Sequence, residues 1–399
     1  MKSKSNLCII GGAGHVGLPL GVTFANSGVD TTLFDINETW LAKIESGIFP
    51  FKETDGNKEL KAALKKKKLH TSSNPESIAT SEFILFITGT PVDKYLNPDL
   101  RELFTVIKKY FEYIQDGQTI ILRSTVFPGT TERVQKYFNE HGKKVSLAFC
   151  PERIAQGHSL RELRELPQIV SAFDQKTVRK VSTLFKKISP LVVTTAQPIE
   201  AELSKLFSNA WRYIKFAVAN QFFMIADKHG LDYHHIHDVM TKEYARNNDL
   251  PGPGFAAGPC LFKDTMQLAA FNHNDFFLGH SAMLVNEGLP DYLLNKLART
   301  QDLHKKTIGI LGMAFKADSD DKRDSLSYKL KKAAETEAKQ VLCHDIYIAD
   351  PSFVSLKKLI KESDIIILAA PHREYHSINP KKYPKKTFID IWNIWQKPA

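Results

Sequence analysis

The sequence predicts an α/β protein in three parts: a parallel sheet with helices, an all-helical middle, and a second α/β part. Three observations carry this. Short apolar runs ended by glycine or proline alternate with helical apolar spacing over the first half of the chain. From residue 198 to about residue 300 the pattern is helical. Apolar runs such as TIGILGMAF and DIIILAAP then return. Strands that are apolar throughout, rather than alternating, belong to parallel sheets covered on both faces. The expected domains are residues 1–197, 198–300 and 301–399, consistent with a chain of 399 residues.

The elements follow in order. LCIIGG reads as a first strand ended by glycine, and GAGHVGLPLGVTFANSG as the helix after it. TTLFD (31–35) is a second strand. The basic run KELKAALKKKKLH (58–70) has helical spacing and reads as a solvated helix face. FILFITGTP (83–91), QTIILRSTVFPGTT (118–131), VSLAFCPER (145–153) and LPQIVSAF (166–173) each supply a strand, three of them with a functional-looking loop. Residues 200–230 form one long amphipathic helix with Gly230 as its stop. TIGILGMAF, VLCHD, DIIILAAP and TFIDIW are the last strands.

Composition bounds the function. Charged residues are 25% and hydrophobic residues 43%, ordinary for a globular protein. No apolar run reaches the roughly 18 residues of a membrane span. The N-terminal apolar run goes straight into a glycine turn and lacks the features of a signal peptide, so a cytoplasmic location is expected. The four cysteines, Cys8, Cys150, Cys260 and Cys343, are too scattered for a disulfide framework or a zinc site, and no metal is expected. Cys8 and Cys343 read as small core residues. The net charge of +10 calls for an anionic partner. No nucleic-acid module accompanies it, and neither nucleic acid nor membrane is an expected partner. A phosphate-rich metabolite fits the charge.

Within IIGGAGHVG, the residues Gly12, Gly14 and Gly17 match GxGxxG. The match follows a strand, opens a helix and meets an acid, Asp35, at the end of the second strand. That context makes it a dinucleotide fingerprint and the domain a Rossmann-type one. Asp35 would accept hydrogen bonds from ribose hydroxyls and repel a 2′-phosphate, so the cofactor expected is NAD. Ligands of such sheets bind outside the carboxyl ends of the strands. Thr90, Ser124, Thr125 and Glu152 stand in those loops, where a cap or turn role is the commoner one for a single Thr or Ser.

PGPGFAAGPCLFKDT (251–265) places Cys260 in a run of small and rigid residues, just before Lys263 and Asp264. A thiol there is either an inert buried side chain, the commoner case, or a nucleophile. A thiolate can attack an aldehyde, and the adduct can be oxidised to a thioester that water releases as an acid. Such chemistry needs an oxyanion stabiliser and a carboxylate. Lys205 and Asn209, spaced i,i+4, share one helix face, and Glu152 and Asp264 are the carboxylates.

Taken together, GGAGHVGLPL, TGTP, STVFPGTT, CPER, ELSKLFSNAWRYIKFAVAN, PGPGFAAGPCLFKD and LGMAFKADSDDKRDS resemble the UDP-glucose and UDP-N-acetylhexosamine 6-dehydrogenase family, nearly end to end. The resemblance implies an N-terminal NAD domain, a central helical dimerisation part and a C-terminal domain that helps to hold UDP. The activity implied is a four-electron oxidation of a UDP-sugar C6 hydroxyl to a uronic acid, with polysaccharide biosynthesis as its setting. Cys260 resembles the nucleophile and Lys205 with Asn209 the oxyanion stabilisers. Asp264 and Thr125 resemble water-positioning groups, and Glu152 an acid/base or thioester-hydrolysis residue. Lys316 and Arg323 resemble substrate-binding positions, and Arg246 an arginine that reaches a neighbouring subunit's substrate.

The chain departs from the family pattern in two places. GFAAGP is one residue longer than the usual glycine-rich turn, and Gln221 stands where many members have glutamate. CPERIAQG resembles the N-acetylhexosamine branch and KDT the glucose branch. The alternative readings are a two-electron β-hydroxyacid-type dehydrogenase and a non-catalytic NAD or nucleotide-sugar binding protein.

Overall fold

The computed structural model describes residues 6–89, 99–256, 258 and 260–395. It divides into two compact units, residues 1–208 and 209–399. The expected α/β, helical, α/β order is observed. Among the described residues no helix is long and apolar enough to cross a membrane.

The first unit is built on one sheet. Its strands are β1 (Asn6–Ile10), β2 (Asp30–Phe34), β3 (Leu69–Ser72), β4 (Phe83–Phe86), β5 (Thr119–Leu122), β6 (Ser146–Phe149), β7 (Gln168–Ala172) and β8 (Val192–Thr194). They lie in the order 3-2-1-4-5-6-7-8. The first six positions are those of a dinucleotide-binding sheet. Both faces are covered. Leu7 and Ile9 of β1 enter one core and Cys8 and Ile10 enter another, as the two-residue period of a strand requires.

Two details differ from the sequence reading. β6 and β7 pair antiparallel, Ala148 opposite Ala172, although every other neighbouring pair is parallel. An apolar run shows that a strand is buried but not which way it points. The lysine-rich run also does not stay helical to His70. The helix Gly56–Lys65 ends where Lys67 takes a positive φ of 54°, and β3 starts at Leu69, which is buried.

The helix Pro198–Lys228 leads into the second unit. Proline suits its first turn, where an N–H would lack a partner. Beyond its end Gly230 takes a φ of 68°, and Leu231 N–H bonds back to Ala226 O at 2.9 Å. The helices Tyr233–Thr241, Leu261–Phe271 and Phe277–Ala298 follow. The second sheet contains β9 (Thr307–Leu311), β10 (Gln340–His344), β11 (Ile365–Leu368) and β12 (Thr387–Ile389), all parallel, in the order 10-9-11-12.

This second sheet repeats the start of the first, residue for residue. Ile10 pairs with Phe34, and Leu311 with His344. The next residues, Gly11 and Gly312, have φ of 79° and 86°. Gly11 N–H donates to Phe34 O at 3.0 Å and Gly312 N–H to His344 O at 2.9 Å. A Cβ on Gly11 would lie 2.1 Å from Ile87 O, and one on Gly312 would lie 2.4 Å from Ala370 O. Asp35 and Asp345, each just after its strand, accept the N–H groups of Ala13 and Ala314 at 3.0 and 3.1 Å. Each also accepts an N–H two residues further on, from Asn37 and Tyr347.

Asp345 has a measurable consequence. Burial pushes its carboxyl up, but the hydrogen bonds from His372 and from the N–H groups of Met313 and Tyr347 prevail and hold it at about 2. A carboxyl held below its unfolded value stabilises the fold above about pH 4, and that stability is lost as pH falls toward 2. Asp345→Asn is expected to remove about 2 kcal/mol of this acid dependence. Urea unfolding at stepped pH measures it, and a variant with the wild-type slope between pH 4 and 2 would exclude the linkage.

Candidate active site

In the first unit the glycines of the first loop divide into two kinds. A Cβ on Gly12 would lie 2.7 Å from Leu33 Cα, and one on Gly17 would lie 2.3 Å from Gly11 O, so the fold itself demands both. A Cβ on Gly14 would meet only Gly11 O, at an ordinary 3.5 Å. None of the described residues crowds that position, which leaves it open for a ligand lying against the loop. The helix Gly17–Asn26 starts behind the loop with no side-chain cap. Its first N–H groups are the kind that receive a pyrophosphate. Each oxygen of Asp35 accepts one backbone N–H, which leaves lone pairs for ribose hydroxyls. These residues fit NAD.

The neighbouring loops are tied by side chains. Ser124 accepts from Thr88 N–H at 2.9 Å and donates to Thr88 O at 2.7 Å, clasping the loop after β4. Thr125 follows it, half-buried. Thr90 lies outside the described residues. Glu152 Oε2 accepts two N–H groups of Arg123, at 3.0 and 2.5 Å, and Oε1 accepts Arg153 N–H and Ile154 N–H at 2.7 and 3.0 Å. Arg123 is fully buried. Its other N–H groups reach Cys150 O and Gln168 Oε1. The sequence reading passed over Arg123. The signal was present: opposite charges close the ends of the adjacent strands β5 and β6. Glu202 was also missed. It is buried and accepts Gly129 N–H, Thr131 N–H and the Thr131 hydroxyl, which caps the helix Thr130–Glu140. Burial is the main cause that raises its pKa.

Lys205 and Asn209 lie one turn apart on the helix Pro198–Lys228, and both are buried. In the second unit Asn209 Nδ2 donates to Asp264 Oδ2 at 2.5 Å. Asp264 is fully buried. Its Oδ1 has the Lys263 ammonium at 3.4 Å but receives no hydrogen bond among the described residues. Cys260 is exposed and occupies the N-cap position of the helix Leu261–Phe271. A helix N-terminus favours an anion placed there. The other three cysteines are buried, with thiols pushed up to about 12 at Cys8 and Cys150 and about 11 at Cys343. The Arg323 guanidinium is stabilised first by hydrogen bonds to Asp321, against partial burial, and also by a Cys260 thiolate. The same attraction favours the thiolate.

The loop before Cys260 is pinned from behind. Asn220 Nδ2 donates to Gly254 O at 3.0 Å and its Oδ1 accepts Gly254 N–H at 2.8 Å. Asn220 Nδ2 also reaches Asn286 Oδ1. Ala256 is buried in a cluster with Tyr213 and Leu261, so one alanine of GFAAGP packs into the core. Gln221 is exposed, so that departure alters a helix surface. Lys316 lies over the Phe315 ring at 5.6 Å, and Arg246 is exposed on the short turn Ala245–Asn247.

Residues 5–189 match the NAD binding domain of the UDP-glucose/GDP-mannose dehydrogenase family, residues 199–287 its central domain and residues 309–397 its UDP binding domain. The chain belongs to this family. A UDP-N-acetyl-D-mannosamine dehydrogenase of Pyrococcus horikoshii is 28% identical over 97% of this chain and 95% of its own length. A solved UDP-D-ManNAc dehydrogenase structure from Pyrococcus horikoshii has a TM-score of 0.90, covering 99% of this chain and 97% of that one. A UDP-glucose dehydrogenase from Pyrobaculum islandicum, 22% identical, shares the fold with a TM-score of 0.88 over 98% of each chain. The protein is an NAD-dependent nucleotide-sugar dehydrogenase, and the two-electron and non-catalytic readings fall away.

Arg123 and Glu152 form the most consequential ion pair in the first unit. Removing one member of a buried pair leaves an uncompensated charge and typically destabilises by about 3–5 kcal/mol. Arg123→Met is expected to lose stability on that scale in urea unfolding. A loss under about 1 kcal/mol would show that solvent reaches the freed carboxylate.

Proposed function

We propose that this dehydrogenase oxidises the C6 hydroxyl of a UDP-N-acetylhexosamine, UDP-N-acetylmannosamine first, to the uronic acid. The observation that carries the choice of sugar is the likeness to the UDP-N-acetyl-D-mannosamine dehydrogenase of Pyrococcus horikoshii over nearly the whole of both chains. The sugar gives up four electrons as two hydrides and gains one oxygen from water. When bound, NAD supplies the acceptor for each hydride.

The residues take the following roles. Cys260 attacks the C6 aldehyde as a thiolate, forming a C–S bond, and the oxyanion takes a proton to give a thiohemiacetal. Loss of the second hydride and of the hydroxyl proton leaves a thioester, and water cleaves its C–S bond to give the carboxylate and return the thiolate. Its exposure at a helix N-terminus, unlike the three buried thiols, supports this. Lys205 supplies a buried positive charge to the C6 oxygen as it gains negative charge. Asn209 has two amide hydrogens. One is donated to Asp264, and Asn209 acts on the same C6 oxygen as Lys205. Asp264 and Thr125 are assigned the orientation of the attacking water, a role that the buried Asp264 Oδ1, without a hydrogen bond among the described residues, supports. Glu152 is held by four donors, none able to accept a proton, which favours its part in hydrolysis as an acceptor over one as a proton donor. Gly12, Gly14, Gly17, Asp35, Thr90 and Ser124 serve NAD. Lys316 and Arg323 bind the UDP-sugar, and Arg246 reaches the substrate of a neighbouring subunit. NAD and a nucleotide sugar as substrates support a cytoplasmic site of action.

NADH yield per sugar tests the chemistry. Wild-type enzyme with UDP-N-acetylmannosamine should give about two NADH per sugar oxidised, and neither UDP-N-acetylglucosamine nor UDP-glucose should match its kcat/KM. Cys260→Ala should form no uronate by mass spectrometry. A yield of about one NADH in the wild type, or uronate from the variant, would refute the thioester route.

The long helix supports a homodimer. Phe207, Trp211, Val218, Phe222 and Ile225 recur at helical spacing along one face and are 37–56% exposed. Trp211→Glu with Phe222→Glu is expected to convert dimer to monomer in sedimentation velocity at micromolar protein. An unchanged sedimentation coefficient would place the interface elsewhere.

A further inference from the structure

We propose that His372 is a positioning residue that, through the backbone of Asp318, fixes the loop carrying Lys316 and Arg323 against the Cys260 segment. This rests on the reading of that loop as the substrate loop. The argument starts from the internal repeat. Ile10, Gly11, Gly12, Ala13 and Gly14 correspond to Leu311, Gly312, Met313, Ala314 and Phe315, because the strand pairings set the register. Where the first unit keeps Gly14 open, the second has a phenylalanine. A Cβ on Gly258, two residues before Cys260, would lie 2.5 Å from the Phe315 ring. Gly258 N–H donates to Asp324 O at 3.2 Å. The position that admits a ligand in the first unit is used in the second to brace the cysteine loop.

The carboxylates diverge in the same way. Asp35 is only part-buried, whereas the side chain of Asp345 is fully buried and meets His372 Nε2 at 3.1 Å. His372 is itself fully buried. Its other ring nitrogen, Nδ1, accepts Asp318 N–H at 2.8 Å. A backbone N–H can only donate, so Nδ1 carries no hydrogen and Nε2–H donates to Asp345. Asp318 has a positive φ of 55°, a conformation that needs support from its surroundings. It is clamped a second time by the next residue, Arg373, whose N–H and guanidinium reach its carboxylate at 3.1, 2.9 and 2.8 Å. Asp318 lies between Lys316 and Arg323. The Asp345 carboxylate therefore orients the imidazole, and the imidazole holds the middle of the loop.

The two ring nitrogens can be tested separately in the full-length enzyme. An asparagine offers its oxygen near the place of Nδ1, and a glutamine its amide near the place of Nε2. His372→Asn keeps the acceptor for Asp318 N–H, and His372→Gln keeps only the donor to Asp345. Two readouts are needed. The first is substrate-free: the rate at which 5,5′-dithiobis(2-nitrobenzoate) modifies the exposed Cys260, with Cys260→Ala as the blank. The second is the Kd of UDP by calorimetry, with the Kd of NAD as a control. Loss of one such bond corresponds to roughly tenfold. His372→Gln should shift the thiol rate and weaken UDP by about that factor, leaving NAD unchanged. His372→Asn should stay within about threefold of wild type in both. Arg373→Ala, an exposed change, should fall between them. Equal effects of Asn and Gln, no effect of either, or a parallel loss of NAD binding would each overturn the proposal. Lys316→Ala and Arg323→Ala test the underlying reading: if neither weakens UDP while the His372 series behaves as expected in the thiol assay, the loop is positioned by His372 but does not bind the nucleotide.

Discussion

A parallel strand cannot be joined to the next by a tight turn, so each one ends in a loop whose backbone N–H groups have left the ladder without new partners. These stranded donors collect at the carboxyl ends of the strands, which is also where ligands of such sheets bind. The molecule answers them with carboxylates. Asp35 takes two N–H groups, Asp345 takes those of Met313, Ala314, Tyr347 and Ile348, and Glu152 takes two beside its own strand end. Glu202 does the same at a helix start. A carboxylate is a strong acceptor for several donors at once, so four acidic side chains organise the loops on which the chemistry stands.

The same arrangement serves two ends because small changes decide what reaches the loop. In the first unit Gly14 leaves the loop surface bare and Asp35 keeps lone pairs toward solvent. In the second unit Phe315 fills the corresponding place and His372 meets the carboxylate. The counterpart of a dinucleotide loop becomes a seat for the segment that bears Cys260. The backbone geometry is nearly unchanged, down to the positive φ of Gly11 and Gly312 and the carbonyl each would strike if it carried a Cβ. What changed is side-chain bulk and the number of donors that meet the carboxylate.

Much of this was legible in the sequence because it is local. Short apolar runs gave ten of the strands, the 3.6-residue period marked the long helix, and the fingerprint with Asp35 specified the cofactor. The reversal of β7 was not legible, since direction along a sheet is set by the connection and by neighbours distant in sequence. The short strands β3 and β8 were missed as well. One is hidden at the end of a lysine-rich run and the other is largely exposed, with only the partial burial of Val192 to mark it. The candidate site residues named from the sequence all stand in distinctive short motifs. Arg123, Asn220 and His372 were not named, because their meaning depends on partners 29, 34 and 54 positions away. Gln221 drew attention as a departure and proves to face outward, whereas its neighbour Asn220 carries the structural task.

Cys260 differs from the other three cysteines in position rather than in residue type. All four thiols share one chemistry, yet burial pushes three of them up, outweighing the Arg123 charge near Cys150 and the Lys331 charge near Cys343. Cys260 escapes that by standing outside the core at a helix N-terminus, within the field of Arg323. Asp264, one turn along the same helix, would oppose a thiolate if it faced the sulfur unscreened. Its charge is shared instead with Asn209 and Lys263. On the proposed thioester route the sulfur must be anionic to attack and must leave as an anion when water arrives, so the same stabilisation would serve both the formation and the breakdown of the thioester. Asp264 fits the same proposal: one of its oxygens is filled by Asn209, and the other is buried without a hydrogen bond among the described residues, which is the kind of acceptor an attacking water would need.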